Sequence, residues 1–476
     1  MKSPYTKLLE SKTRSELITI AHIKRFLECF SGDRKFREQA LDSSISLKEL
    51  AEERGCYLQN IDSLRPVFDN KFYHFRELAT IDTWPLTAIW DDFYKGMLSS
   101  MPYYLKAGDS AGEFKEFDIW RTKQISRTFI EVGPGARSIV HPPIAFELSD
   151  GCTVGCWFCG ISADKFGGHF SLENGGDIFW REILEATKSV LGQGMSTGFC
   201  YWATEPLDHP EYDEFIKIYY DVVGTIPQTT TAIPLRNIEL TKKVLKFWEK
   251  DRFVPNRFSV LTTPIMRRIH SKFTAEELLG VEMVMQGSES LGAKSIAGKA
   301  RPDDNEGKEG APQKKKRSDK MEEGTIACVT GFLVNLPKKT IRLVSPTKAT
   351  EECPDGYYVF SERKFSSAED LAITMREMIL AEDDRISKGN EKISVGSNFW
   401  FESNGDKTSL RTDQSLYEME IFSVIGPMLQ SGESTPNEIL KNAISAGYDP
   451  LLCIAIIRDL LNVGIIGDEL RPLEAA

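Results

Sequence analysis

The feature that most constrains this chain is a cysteine cluster. The segment GCTVGCWFCG places Cys152, Cys156 and Cys159 within eight residues of a 476-residue sequence. It follows Pro142–Leu148 (PPIAFEL), an apolar run that reads as a buried strand. Nine cysteines in so long a chain, with a polar N-terminus, do not make a disulfide scaffold. A tight cluster in a reducing compartment reads instead as a metal or cluster site. Three thiolates on a short loop can ligate three irons of a cubane, and the shortness keeps the closure entropy small. The remaining iron then has no protein ligand and is open to a small molecule. Gly151, Gly155 and Gly160 let the loop wrap closely, and Phe158 would shield the group from water. The competing reading is zinc. That metal calls for a further protein ligand, and the nearest histidines in sequence are His141 and His169.

From His141 onward, strands and helices alternate. Asp177–Leu191 reads as a helix and Gly198–Ala203 as a second strand. Glu211–Val223 reads as a helix, Thr229–Ile233 as a third strand, Glu239–Lys250 as a helix and Arg257–Leu261 as a fourth strand. This order predicts parallel β/α units. Residues 1–135 read as helical: Ile20–Phe30 carries apolar residues at helical spacing, and Ser44–Arg54 begins on a capping serine and stops at Gly55. Residues 286–324 are nearly free of large apolar groups, so a flexible, low-complexity insertion is expected. The run Lys314–Arg317 within it reads as a solvated stretch rather than a nucleic-acid patch. Thr325–Leu336, Thr340–Val344 and Tyr357–Phe360 are strand-like. Leu416–Asp468 reads as three helices followed by Gly464-Ile465-Ile466, a winged-helix-like module with few basic residues. Peptide binding or packing suits that module better than DNA binding.

The cysteine spacing, its position after a first strand and the aromatic Phe158 before the last cysteine resemble the radical S-adenosylmethionine superfamily. The second strand ends in Ala203-Thr204-Glu205-Pro206, where that superfamily often has Gly-Gly-Glu-Pro; both glycines are replaced here. The resemblance implies an α/β fold, a partial (β/α)6 TIM-type barrel. It also implies one [4Fe–4S] cluster on Cys152, Cys156 and Cys159. Ala203, Thr204, Glu205 and Pro206 would bind the amino group of S-adenosylmethionine, with Glu205 as the charged acceptor. Ser259 and Arg236 are further candidates for ribose or carboxylate contacts, although strand surface and helix cap suit them as well. Wider stretches (FLECFSGDRKFREQA, FELSDGCTVGCWFCGISA, YWATEPLDHPEYDEF and CVTGFLVNLPKKTIRLVSP) resemble amino-acid epimerases that mature proteusin-type ribosomal peptides. That resemblance implies removal of an α-hydrogen from an L-residue and return of a hydrogen from a cysteine thiol. Cys328 is the first candidate donor and Cys353 the second, while Cys200 reads as packing. Cys29, Cys56 and Cys453 lie outside the barrel pattern and read as structural.

The implied layout is a helical region over 1–135, the barrel over 136–345, a connecting region over 346–410 and the winged-helix-like module over 411–476. The implied partners are a ribosomally made precursor peptide with a leader and a reductant such as flavodoxin or ferredoxin. A net charge of −11 disfavours nonspecific nucleic-acid binding. No apolar run approaches the ~18 residues of a membrane span, so no membrane partner and a cytoplasmic location are expected. Crosslinking, methylating or backbone-excising maturases, and a non-catalytic leader-binding cluster protein, are the alternative functions.

Overall fold

The strands that carry the candidate site are β1 (Ile144–Glu147), β2 (Thr230–Thr231), β3 (Asn256–Val260), β4 (Val281–Met285), β5 (Gly331–Asn335), β6 (Thr340–Pro346) and β7 (Tyr357–Lys364). The protein is seen as a computed structural model that describes residues 2–156, 158–287, 289–292, 294–301, 321–387, 392–405 and 407–467. β1 is buried along its whole length, as its apolar run requires. It pairs in parallel with β5, from Ile144↔Phe332 to Glu147↔Asn335. β6 then adds on antiparallel to β5, and β7 antiparallel to β6. On the other side of β1, single bridges at Ala145↔Phe199 and Phe199↔Gln228 lead to the parallel sheet β2-β3-β4.

The architecture is therefore mixed α/β, as the alternation predicted, but the expected partial (β/α)6 barrel is an open arc. No sheet among the described residues closes. Two causes are visible. β5 returns to the side of β1 instead of extending beyond β4. Helix α1 (Arg14–Gly32), started by a capping box on Thr13 and Glu16, lies against β4. At Gly32 the approach is close: a Cβ there would stand 2.9 Å from the Met266 sulfur and 3.0 Å from that of Met285. The N-terminal helical region so packs its apolar residues against β3 and β4, the end of this sheet.

The second strand expected over Gly198–Ala203 shrinks to the bridge at Phe199. The reason is local: the Ala203 N–H bonds the Glu147 carboxylate at 3.0 Å instead of a strand backbone. Thr325–Thr330, expected as the start of a strand, is extended chain outside any sheet, and β5 begins only at Gly331. Gly331 turns the chain into the sheet at φ +149°, where a Cβ would meet the Pro143 carbonyl at 2.0 Å.

The outer layer consists of α2 (Lys115–Val132), α3 (Gly176–Leu191), α4 (Tyr212–Val223), α5 (Ile238–Trp248), α6 (Thr263–Lys272) and α7 (Ala368–Ser387). Phe146, Trp180, Phe215, Tyr219 and Phe332 fill the core beneath them. Full burial of each such ring contributes about 1.5–3 kcal/mol. In the C-terminal module, β8 (Trp400–Asn404), β9 (Lys407–Arg411) and β10 (Leu416–Glu418) form an antiparallel sheet. Helices α8 (Phe422–Ser431), α9 (Pro436–Ser445) and α10 (Pro450–Asn462) follow. The first of the three expected helices is thus shorter than its sequence suggested, because Leu416–Glu418 pairs with Ser409–Arg411 as a strand. The module's core includes Ile393, Phe399 and Leu410 together with Phe422, Ile439 and Ile457. Most of the insertion, residues 302–320, and its Lys314–Arg317 run lie outside the described residues. Its flanks pair in parallel, Lys294–Ile296 with Met321–Glu323.

Candidate metal centre

The loop that carries the three cysteines is stitched at its base. Ser149–Asp150 pairs antiparallel with Gly168–His169, and the Cys152 N–H bonds the Asp164 carbonyl at 3.0 Å. Gly151 permits this return at φ +68°, where a Cβ would meet the Lys165 carbonyl oxygen at 2.3 Å. The loop donates backbone N–H groups to its own sulfurs: Val154 to Cys152 at 3.4 Å and Ala163 to Cys159 at 3.3 Å. Such bonds favour the thiolate form that a metal needs. Phe158 sits half-buried beside Cys159. From the far side, Lys299 donates its backbone N–H to the Cys159 carbonyl at 2.9 Å.

Burial pushes the Cys156 thiol up to about 11, with further pressure from Cys159, Cys152 and Glu205. Burial likewise raises Cys152, and Glu205 adds to the effect. The three sulfurs and this carboxylate therefore share one electrostatic neighbourhood. Among the described residues no set of three or more His, Cys, Asp or Glu side chains is gathered closely enough to hold a metal ion. The triplet is a set of soft donors on one loop rather than a preformed cage. That donor chemistry fits an iron–sulfur cluster with three protein ligands. A zinc quartet finds less support: His169 Nδ1 is engaged by the Ser149 hydroxyl at 2.8 Å, and His141 is buried against Thr330.

The loop after Phe199 is held against the cysteine loop. Glu147, at the end of β1, accepts the Ala203 N–H at 3.0 Å and the Asn335 amide at 2.9 Å. Ala203 and Thr204 are half-buried, and Glu205 and Pro206 are buried. Glu205 accepts the N–H of Leu207 at 3.1 Å and that of Ala232 at 2.8 Å. Burial pushes its carboxyl up to about 7, against hydrogen bonds from Thr231, Ala232 and Leu207. Asp208 accepts from the Thr153 backbone at 3.0 Å and its hydroxyl at 2.6 Å. Arg236 completes this clamp by donating to the Thr153 hydroxyl at 2.7 Å and to Asp208. Arg236 is thus placed on the cysteine loop itself. Ser259 is half-buried on β3, opposite Val284 of β4. Glu147, Thr153 and Asp208 escaped sequence reasoning. Glu147 and Asp208 lie inside motifs that marked the site, and nothing in those motifs tells a ligand from a brace.

Below this level, a polar row lines the inner face of the arc. Phe258 and Val260 pack with the N-terminal helices, so alternation turns Arg257 and Ser259 the other way. Arg257 bonds Glu282 at 2.8 Å, and the Tyr201 hydroxyl meets Thr230 at 2.8 Å and Gln228. Arg257 is half-exposed, and Glu282 holds its guanidinium above the ordinary value against the effect of burial. Tyr201 and Cys328 both act on its charge. Cys328 is half-buried, and burial pushes its thiol up to about 11. Its chain segment reaches the cysteine loop at Ile326, which fills the space beside Gly160. Cys353 is elsewhere: it is buried, raised to about 12 by burial, and the charges that act on it most are those of Glu131 and Arg127. Cys200 is fully buried in the core among aromatic residues, consistent with packing.

No protein-family model matches the chain. It is 34% identical over 468 residues to the protein called "uncharacterized protein y4wI" of Sinorhizobium fredii, an overlap of 98% of this chain and 91% of that one. This chain belongs to the y4wI family. The relationship spans both the cysteine loop and the C-terminal module. Among solved structures, BtrN in complex with AdoMet and 2-DOIA overlaps with a TM-score of 0.23 and 15% identity, covering 30% of this chain and 56% of that one. The chain thus spans about half the length of BtrN, and so loose an overlap assigns neither fold nor chemistry. Among the described residues no helix is long and apolar enough to cross a membrane.

Proposed function

We propose that the protein is a radical S-adenosylmethionine enzyme that epimerises residues of a ribosomally made precursor peptide. The observation that carries this reading is the pairing of two loops. Three thiols sit on one, Glu205 sits on the other, and Asp208, Thr153 and Arg236 fasten them together. Cys152, Cys156 and Cys159 would hold a [4Fe–4S] cluster. When bound, the cluster and S-adenosylmethionine supply a 5′-deoxyadenosyl radical able to take an unactivated hydrogen. Glu205 would receive the amino group of S-adenosylmethionine, its carboxylate fixed in place by two backbone N–H groups. Ala203, Thr204 and Pro206 would line that subsite, Ser259 would stand at its edge, and Phe158 would exclude water. A reducing protein of the flavodoxin or ferredoxin class would deliver the electron.

Cys328 would return the hydrogen to the opposite face of the peptide Cα. Its raised pKa favours this role, because burial keeps the sulfur as S–H, the form with a hydrogen to give. Cys353 is the alternative donor, and its charged neighbours Glu131 and Arg127 place it apart from the polar row. The C-terminal module offers a means of holding a peptide: β10 is an edge strand with Leu416 and Tyr417 exposed, and an extended leader could add to it.

The test is incubation of reconstituted, reduced protein with S-adenosylmethionine and candidate precursors in deuterium oxide. Epimerisation adds one mass unit per modified residue and otherwise leaves peptide mass unchanged. Cys328→Ala should still form 5′-deoxyadenosine but yield no D-residues. A mass change from crosslinking, methylation or excision would identify another maturase. Absence of 5′-deoxyadenosine would leave a non-catalytic cluster protein.

A further inference from the structure

Away from the cysteine loop, three elements bring four reactive side chains together inside an apolar cluster. α1 supplies Glu28 and Cys29, the turn after helix Leu47–Glu52 supplies Cys56, and α6 supplies His270. The Cys29 sulfur lies 3.6 Å from His270 Nδ1, and His270 Nε2 lies 3.1 Å from Glu28. A carboxylate on Nε2 fixes the hydrogen there and leaves Nδ1 free to take the thiol proton. Glu28 is held in turn by Lys24, which also bonds the Leu278 carbonyl at 3.0 Å. This chain of nucleophile, base and orienting carboxylate is the arrangement that activates a thiol. No set of three metal-holding side chains is gathered here either.

The two thiols differ. The segment around Cys56 rests on the same helix, with the Tyr57 N–H on His22 Nδ1 at 3.3 Å, and Cys29 and Cys56 share one buried cluster. Cys56 and then His270 lower the Cys29 thiol against the effect of burial. Cys29 and burial raise Cys56. The sulfur beside the imidazole, Cys29, is the one placed to act as the nucleophile. A braced imidazole on one of two neighbouring thiols distinguishes a working dithiol from two packed cysteines. Both are buried, and Tyr57, adjacent to Cys56 in the chain, is 67% exposed.

We propose that Cys29 and Cys56, with His270 and Glu28, form a redox-active dithiol centre that reacts with hydroperoxides and closes to a disulfide. The Cys29 thiolate attacks the peroxide O–O bond, forming a sulfenic acid and releasing hydroxide, which the proton held on His270 neutralises to water. The Cys56 thiol then attacks the sulfenic sulfur, the S–S bond forms, and a second water leaves. Two thiols are oxidised by two electrons, and one hydrogen peroxide is reduced to two waters. The disulfide would tie α1, which packs against β4, to the segment after Leu47–Glu52. A thiol reductant reverses it.

The experiment treats the full chain under argon with stoichiometric hydrogen peroxide, blocks free thiols in denaturant and maps cysteine peptides by mass spectrometry. The centre predicts a Cys29–Cys56 peptide that dithiothreitol separates, while Cys200 and Cys453 stay free; both of these are fully buried. Cys56→Ser should leave Cys29 as a sulfenic acid trapped by dimedone, and His270→Asn should slow Cys29 oxidation about tenfold. The wild-type map decides the matter even if a variant fails to fold. The proposal is overturned if Cys29 and Cys56 oxidise no faster than Cys200 and Cys453, or if Cys29 pairs with a different cysteine. The readout is independent of the radical reading, because it uses neither cluster nor S-adenosylmethionine.

Discussion

In the loop over 152–159, half-buried sulfurs sit among backbone N–H groups, and the charges acting on Cys152 and Cys156, that of Glu205 among them, are negative. Around Cys29 the sulfur faces an imidazole braced by Glu28. The first setting raises Cys152 and Cys156, and the second lowers Cys29. In the helical region protein groups alone lower a thiol. On the glycine-bent loop they supply donors and spacing, and under the proposed function the bound cluster would supply the positive charge. Cysteine chemistry therefore depends on the second ring of groups more than on sulfur count.

The largest effect expected is at the first site. Cys156→Ala should abolish iron binding and 5′-deoxyadenosine formation, a loss beyond the roughly tenfold-to-hundredfold cost of removing an outer group. Cys29→Ala should leave both intact; equal losses in the two variants would erase the contrast. Next comes the brace between the helices and the arc. The buried Arg127–Glu131 pair also bonds Ser345 and the Pro346 carbonyl, each at 2.9 Å. Arg127→Ala should cost about 3–5 kcal/mol in urea unfolding, because Glu131 is left charged and buried.

A pH dependence follows from His141, which burial, with help from Arg121 and Arg127, lowers from 6.5 to about 3. The folded residue stays neutral while the unfolded one takes a proton below its ordinary value. Its stabilising contribution is therefore present above pH 6.5 and is lost as pH falls toward 3. The slope approaches about 1.4 kcal/mol per unit, and His141→Gln should flatten that limb of the stability profile. Gly151→Ala, at its left-handed position, should destabilise the loop by about 1–3 kcal/mol and weaken iron uptake. The smallest change is expected for Arg236→Ala, which removes one arm of an exposed clamp and should lower cluster affinity about tenfold.

Much of the site was legible because its marks are local. The triplet, its glycines and Glu205-Pro206 lie in two short segments, each next to a recognisable strand. The clamp was not legible, because Thr153, Asp208 and Arg236 meet only after the arc has formed. The same holds for Cys29, whose histidine lies 241 residues away. The alternation of strands and helices gave the parallel units correctly. It could not show that β5 would return to β1, or that α1 would pack against β4, since both depend on packing between distant segments. Leu416–Glu418 joined a sheet because its cross-strand partners outweighed a helical apolar spacing.

The most direct test of the central claim is paramagnetic resonance on protein reconstituted anaerobically with iron and sulfide, reduced, and measured before and after addition of S-adenosylmethionine. The account predicts four irons per chain in a single cluster whose signal changes on addition, because one iron is open to the added molecule. Protein that takes up zinc and shows no iron–sulfur signal, or a cluster indifferent to S-adenosylmethionine, would contradict it.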